Sequence, residues 1–190
     1  MRRRALLTTA GASMASLAGC LGDTEYTITN VAVTAAAPFE FDVTVTEPDA
    51  VIEHPARLEF ELRNRADQPL RVRNRGVWPF GLLKLVRSPD AEGPGGTLLY
   101  TEQYETSQYV DIESRRNYST ESTPLVQTLA SGQRFSETYE LHGDGIRGAG
   151  TAYVRGEHEL PIFEYTSGDS DEWQSFTPEI AVTITTKQLW

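Results

Sequence analysis

Apolar and polar side chains alternate along much of the chain from Tyr26 onward. Phe39-Glu40-Phe41-Asp42-Val43-Thr44-Val45-Thr46 switches at every position, and Arg57-Leu58-Glu59-Phe60-Glu61-Leu62-Arg63 does the same. On a helix, Leu58 and Phe60 would stand about 200° apart, whereas on a strand they share one face. The register predicts that Leu58, Phe60 and Leu62 are buried together, with Glu59 and Glu61 on the opposite face. Ile180, Val182 and Ile184 repeat the pattern, with β-branched Thr183, Thr185 and Thr186 around them. Tyr26 and Ile28 share one phase and Val31 and Val33 the other, so Asn30 is predicted to mark a bulge or kink. Weaker strand signals lie at 70–73, 82–86, 97–104, 135–141 and 151–154. After the first nineteen residues no i, i+3, i+4, i+7 stripe of helical length occurs. The predicted class is all-β.

Turn chemistry separates these runs. Arg65-Ala66-Asp67-Gln68-Pro69 reads as a hairpin loop between two strands, and Glu92-Gly93-Pro94-Gly95-Gly96 as a second connection. Gly143, Asp144, Gly145, Gly148 and Gly150 mark a third. Many short strands punctuated in this way predict an immunoglobulin-like antiparallel β-sandwich, one domain over residues 26–190. That span exceeds the roughly 100 residues usual for such a sandwich. The surplus is assigned to the polar stretches 105–132 and 167–172. No internal repeat and no interdomain linker is visible.

The first nineteen residues have a different character. Arg2, Arg3 and Arg4 precede a short, weakly apolar run that ends in Leu17-Ala18-Gly19-Cys20. A basic start, a short apolar stretch and small residues before a boundary are the parts of an export signal. The stretch is too short and too rich in Thr, Ser and Gly to cross about 30 Å of hydrocarbon. Arg3 and Arg4, followed by Leu6 and Leu7, resemble a twin-arginine signal, the address of substrates exported already folded. Leu17, Ala18, Gly19 and Cys20 resemble a lipobox, in which Cys20 is lipidated and becomes the mature N-terminus. Thiolate chemistry suits that role, and the chain has no second cysteine to oxidise it. The expected organisation is therefore a signal segment at 1–19, a lipidated N-terminus and tether at 20–25, and the sandwich. The tether reaches about 20 Å at most, so the expected location is the extracellular face of the membrane, close against it.

Composition narrows the function. At 190 residues and 39% apolar, the chain can fill a core. Its formal charge of −10, which becomes −13 once the three arginines of the signal are gone, would be repelled by a phosphate backbone, so nucleic acid is not an expected partner. The cationic residues are fifteen arginines and only two lysines, Lys84 and Lys187. A carboxylate-dense, lysine-poor surface suits molar salt, where the Debye length shrinks to about 3 Å and self-repulsion fades.

Motifs that carry chemistry are scarce. A blue-copper site needs a thiolate and two histidines, usually with an axial methionine. Here the one cysteine is committed to lipid, and Met1 and Met14 both precede it. His142 and His158 are sixteen residues apart with no His-Glu-x-x-His pattern, and they read as exposed histidines among carboxylates. Asp169-Ser170-Asp171-Glu172 resembles the opening of a calcium loop but lacks the EF-hand glycine and terminal glutamate, and it reads as a solvated acidic turn; a calcium site of another kind between loops stays open. There is neither a Gly-x-Ser-x-Gly elbow nor a phosphate loop. No catalytic residue, metal ligand or cofactor is assigned. Val77-Trp78-Pro79-Phe80-Gly81 has two readings: an aromatic recognition loop built on Trp78 and Phe80, or a plug with Trp78 inserted between the sheets. Tyr100, Tyr104, Tyr109 and Tyr118 could line a polar groove or simply occupy strands. Asn117-Tyr118-Ser119 fits the N-glycosylation pattern and marks Asn117 as a candidate acceptor.

The paired arginines, the lipobox and the acidic, lysine-poor body together resemble the secreted lipoproteins of halophilic archaea. Leu58-Glu59-Phe60-Glu61-Leu62-Arg63-Asn64 with Asp67-Gln68-Pro69-Leu70 resembles early strands of immunoglobulin-like surface modules. Ser131-Gly132-Gln133-Arg134-Phe135, leading into Tyr139-Glu140-Leu141, is similar to a later strand of such modules and of proteinase-inhibitor sandwiches. The resemblance implies a fold and a location but carries over no binding residue. The expected function is a membrane-anchored, non-enzymatic binding or structural module with a surface protein or glycan as partner. A surface hydrolase or an inhibitor-like sandwich is the alternative.

Overall fold

The computed structural model describes residues 25–90, 95–158, 161–168 and 170–187. Outside them lie Arg3, Arg4, Leu6 and Leu7, the lipobox with Cys20, the tether up to residue 24, Gly93, Pro94 and Asp169. In chain order the strands are β1 (Tyr26–Thr34), β2 (Phe39–Glu47), β3 (Asp49–Ala50), β4 (Ala56–Asn64), β5 (Leu70–Asn74), β6 (Leu83–Val86) and β7 (Thr97–Leu99). A single helical turn, α1 (Gln103–Thr106), precedes β8 (Val110–Ser114), β9 (Asn117–Thr120), β10 (Leu125–Leu129) and β11 (Arg134–Leu141). The series ends with β12 (Gly150–Gly156), β13 (Phe163–Ser167), β14 (Gln174–Phe176) and β15 (Glu179–Thr186). Among the described residues no helix is long and apolar enough to cross a membrane.

Every strand pairing is antiparallel. One sheet runs β3-β1-β15-β12-β6-β7, a second β11-β4-β2 and a third β10-β5-β13-β14, while β8 and β9 form a separate ribbon. A bridge between Tyr100 and Glu140 continues the first sheet onto β11. The result is the all-β, sandwich-like arrangement that the alternation predicts. Leu58, Phe60 and Leu62 are fully buried, and Glu59 and Glu61 lie on the other face of β4. The β1–β15 register slips between Ile28 and Asn30, so Tyr26 and Ile28 before the bulge, and Val31 and Val33 after it, all turn inward.

Aromatic rings join the three-stranded and four-stranded sheets. Phe39 meets Phe163, Tyr165 and Phe176 edge-on at 5.1–5.2 Å, and Phe163 stacks on Phe176 at 4.6 Å. Edge-to-face pairs of this kind add roughly 0.5–1.5 kcal/mol beyond the area they bury.

Three sequence expectations are corrected. The loop at 65–69 is not a hairpin, because β4 and β5 belong to different sheets. The fully buried Asn64 drives the crossover: its Nδ2 donates to the carbonyls of Gln68, Leu129 and Ala130, and its Oδ1 accepts from the amide of Ala66. The run 97–104 is not one strand either. Pairing with β6 ends at Leu99, Tyr100 bridges Glu140 instead, and the chain then turns through α1, which carries Tyr104 into the core. Finally, the polar stretch 105–132, where the pattern signals no strand, holds β8, β9 and β10. β10 is an edge strand whose central residues face solvent, which explains its polar character.

Candidate functional site

The segment between β5 and β6 is fixed by backbone hydrogen bonds rather than by bulk. Asn74, the last residue of β5, donates through Nδ2 to the carbonyls of Val77 (2.9 Å) and Pro79 (2.5 Å). Gly76 has φ = +82°, and a Cβ there would come within 2.4 Å of Leu82 Cδ1, so a side chain would be both strained and blocked. Gly81 closes the turn, donating to Val77 (2.9 Å) and accepting from the Tyr139 hydroxyl (3.0 Å). The loop thereby drives Phe80, rather than Trp78, into the core against Phe41 and Phe60. Trp78 is half-buried, with its ring edge-on to Phe135 at 5.5 Å. Both readings of this motif are revised: Phe80 is the plug, and the two rings do not form an exposed pair.

This loop forms one wall of a cleft of about 190 Å³, closed by the ends of β5 and β12, the start of β13 and Pro124. Its charges are internally matched. Arg73 donates through Nε to Glu164 at 2.7 Å, and its guanidinium lies 4.3 Å from the centre of the Trp173 ring, which Arg71 also approaches at 5.3 Å. Glu157 is met from outside the lining by Lys84, one of the two lysines and 4% exposed, which donates to the Glu157 carbonyl at 3.1 Å, with the carboxylate 3.9 Å away. Burying such a pair costs desolvation that good geometry must offset. The Tyr118 phenol reaches the same carboxylate, and burial followed by that hydrogen bond pushes its pKa well up. His158 Nε2 lies 2.6 Å from the Thr120 hydroxyl. Tyr118 and Thr120 are alternate residues of β9, so one face of the β8–β9 ribbon docks on the end of β12 through both contacts. Asn74 also lines the cleft, and its Oδ1 is buried with no hydrogen-bond partner among the described residues.

The other sequence candidates fall elsewhere. His142 lies in a second hollow of about 200 Å³, with Glu25, Ile52, Arg115 and Asp144. Its Nε2 is 3.2 Å from Glu140, whose other oxygen binds Arg57 at 3.1 Å. Burial, reinforced by Arg115, lowers the His142 pKa against the opposing pull of Glu140. His142 and His158 thus belong to different hollows. The four tyrosines do not share a groove. Tyr104 is fully buried and donates to the Leu99 carbonyl, while Tyr100, bonded to Glu105, is pushed up to about 12 by burial and by that carboxylate. Among the described residues no group of three or more His, Cys, Asp or Glu is arranged to hold a metal ion. Asn117 is exposed at the start of β9.

The cleft residues and their partners were not legible as a set. Arg73 and Glu164 are 91 residues apart, Lys84 and Glu157 are 73 apart, and Thr120 and His158 are 38 apart. The one available signal was the rarity of lysine, which singles out Lys84 in an apolar run.

A family model described as a domain of unknown function, DUF8130, matches residues 1–190 of the chain. No curated protein and no solved structure matches it.

Proposed function

We propose, for a chain that belongs to the DUF8130 family, that it is a lipid-anchored binding module on the outer face of the membrane. In this reading Cys20 holds the lipid, the twin-arginine segment is removed, and the cleft at Arg73, Asn74 and His158 receives part of a surface glycan or protein. The observation that carries the binding role is the matching of charges in the cleft. Arg73, Glu164 and Glu157 line the cleft and are each engaged by a neighbour, Glu157 by the buried Lys84 and by Tyr118, an arrangement that favours polar recognition over an activated nucleophile. The acidic, lysine-poor surface supports an extracellular setting of high salt.

Arg75 and His158 both line the cleft, and the test compares wild type with the Arg75→Ala/His158→Ala double variant for capture of envelope glycans and envelope proteins, offered separately in molar salt. Saturable binding that the variant loses supports the reading. Equal binding by both proteins, or turnover of an offered polymer, contradicts it. One contact favours a hydrolase as the second reading: the 2.6 Å approach of Thr120 to His158 beside the cleft. Turnover abolished by Thr120→Ala would establish that alternative.

A further inference from the structure

The chain has four asparagines, at 30, 64, 74 and 117, and only Asn117 is followed by Ser or Thr at the second position. The fold treats these four side chains differently. Asn64 and Asn74 are interior and hydrogen-bonded to backbone carbonyls, whereas Asn117 opens β9 at the turn of the β8–β9 ribbon and is exposed. Strand alternation places Ser119 on the same outward face, also exposed, while Tyr118 turns inward to Glu157. Among the described residues β9 pairs with β8 alone, so its other edge is not engaged in a ladder. The Asn117 amide donates to the exposed Glu113 carboxylate at 2.5 Å, a surface contact that water can replace. A substrate exported already folded can be glycosylated only where the native fold presents both acceptor residues in extended form, and this ribbon does so.

The position of the ribbon favours the reaction further. Arg115, two residues before Asn117, lines the same hollow as Glu25, and Glu25 is separated from Cys20 by a tether of at most about 20 Å. We propose that Asn117 is an N-glycosylation site, modified after folding by a lipid-linked sugar phosphate at the outer membrane surface. In the transfer, Asn117 Nδ2 forms a bond to the anomeric carbon and loses a proton, while the bond from that carbon to the phosphate oxygen breaks and lipid phosphate leaves. The proposal rests on the export reading above, and its test separates the two.

The protein is purified from native membranes as wild type, Asn117→Gln, Ser119→Ala and Ser119→Thr, and the Asn117 and Cys20 peptides of each are weighed. The expected result is a sugar mass on the Asn117 peptide of wild type and Ser119→Thr, lost completely in Ser119→Ala, with a lipidated Cys20 peptide in every case. The intact mass of Asn117→Gln should show the same loss. An unmodified Asn117 in wild-type protein whose Cys20 is lipidated overturns the proposal. A sugar on Asn117 with a bare Cys20 upholds it and overturns the anchor, and bare residues at both positions overturn both.

Discussion

Replacing Asn64 by alanine removes the link that lets β4 leave one sheet and β5 begin another. The buried amide supplies a donor to the Leu129 carbonyl at 2.9 Å and to that of Gln68 at 3.0 Å, and an acceptor to the Ala66 amide at 2.9 Å. A buried polar group left without a partner costs about 1–3 kcal/mol, and one that water can reach costs about 1. The Leu129 carbonyl belongs to the first kind and the other two groups to the second. Asn64→Ala should therefore lose roughly 3–5 kcal/mol, a large part of the about 5–15 kcal/mol usual for a domain. Asn64→Asp provides a sharper check. Its carboxylate still accepts from Ala66 but faces three carbonyls, so its pKa should rise in the folded state. The resulting instability is then present at neutral pH and shrinks as pH falls and the acid becomes neutral. Equilibrium denaturation in high salt, followed by tryptophan fluorescence, reads both variants. A loss below about 1 kcal/mol for Asn64→Ala, or a pH-independent loss for Asn64→Asp, refutes the reasoning.

Two further predictions concern pH and salt. Because burial holds the His142 pKa below its ordinary value, the unfolded chain takes up a proton first as pH falls, so stability should drop through the histidine range and drop less in His142→Gln; matching pH–stability curves would contradict this. On the proposed export reading, which leaves a formal charge of −13, the protein should unfold at progressively higher temperature as KCl rises from about 0.1 M to about 3 M. A flat or falling melting temperature would remove the argument for a saline setting.

Where one face of a strand meets the core, the sequence carried the structure plainly: in β4 the alternate residues Ala56, Leu58, Phe60 and Leu62 are apolar and buried, and the phase change in β1 located its bulge. Legibility failed where burial did not dictate composition. Strands β8 to β10 gave no strand signal because their backbone pairing is satisfied while most of their side chains meet water. The hairpin expected at 65–69 failed for a different reason: an interior Asn64 redirects the chain, and nothing local distinguishes a buried asparagine from one in a turn. The swap between Trp78 and Phe80 is set by the backbone of a loop whose partners, such as Tyr139, lie far along the chain. The cleft was the least visible feature, because each of its pairs joins residues far apart in the chain that only the complete strand pairing brings together.

The anchor is tested most directly by the mass of the N-terminal peptide released from protein taken from native membranes. The account predicts a peptide that begins at Cys20 and carries a thioether-linked lipid, with the protein moving to the soluble fraction when Cys20 is replaced by serine. A peptide that retains Arg2, Arg3 and Arg4 together with a free Cys20 thiol would contradict it.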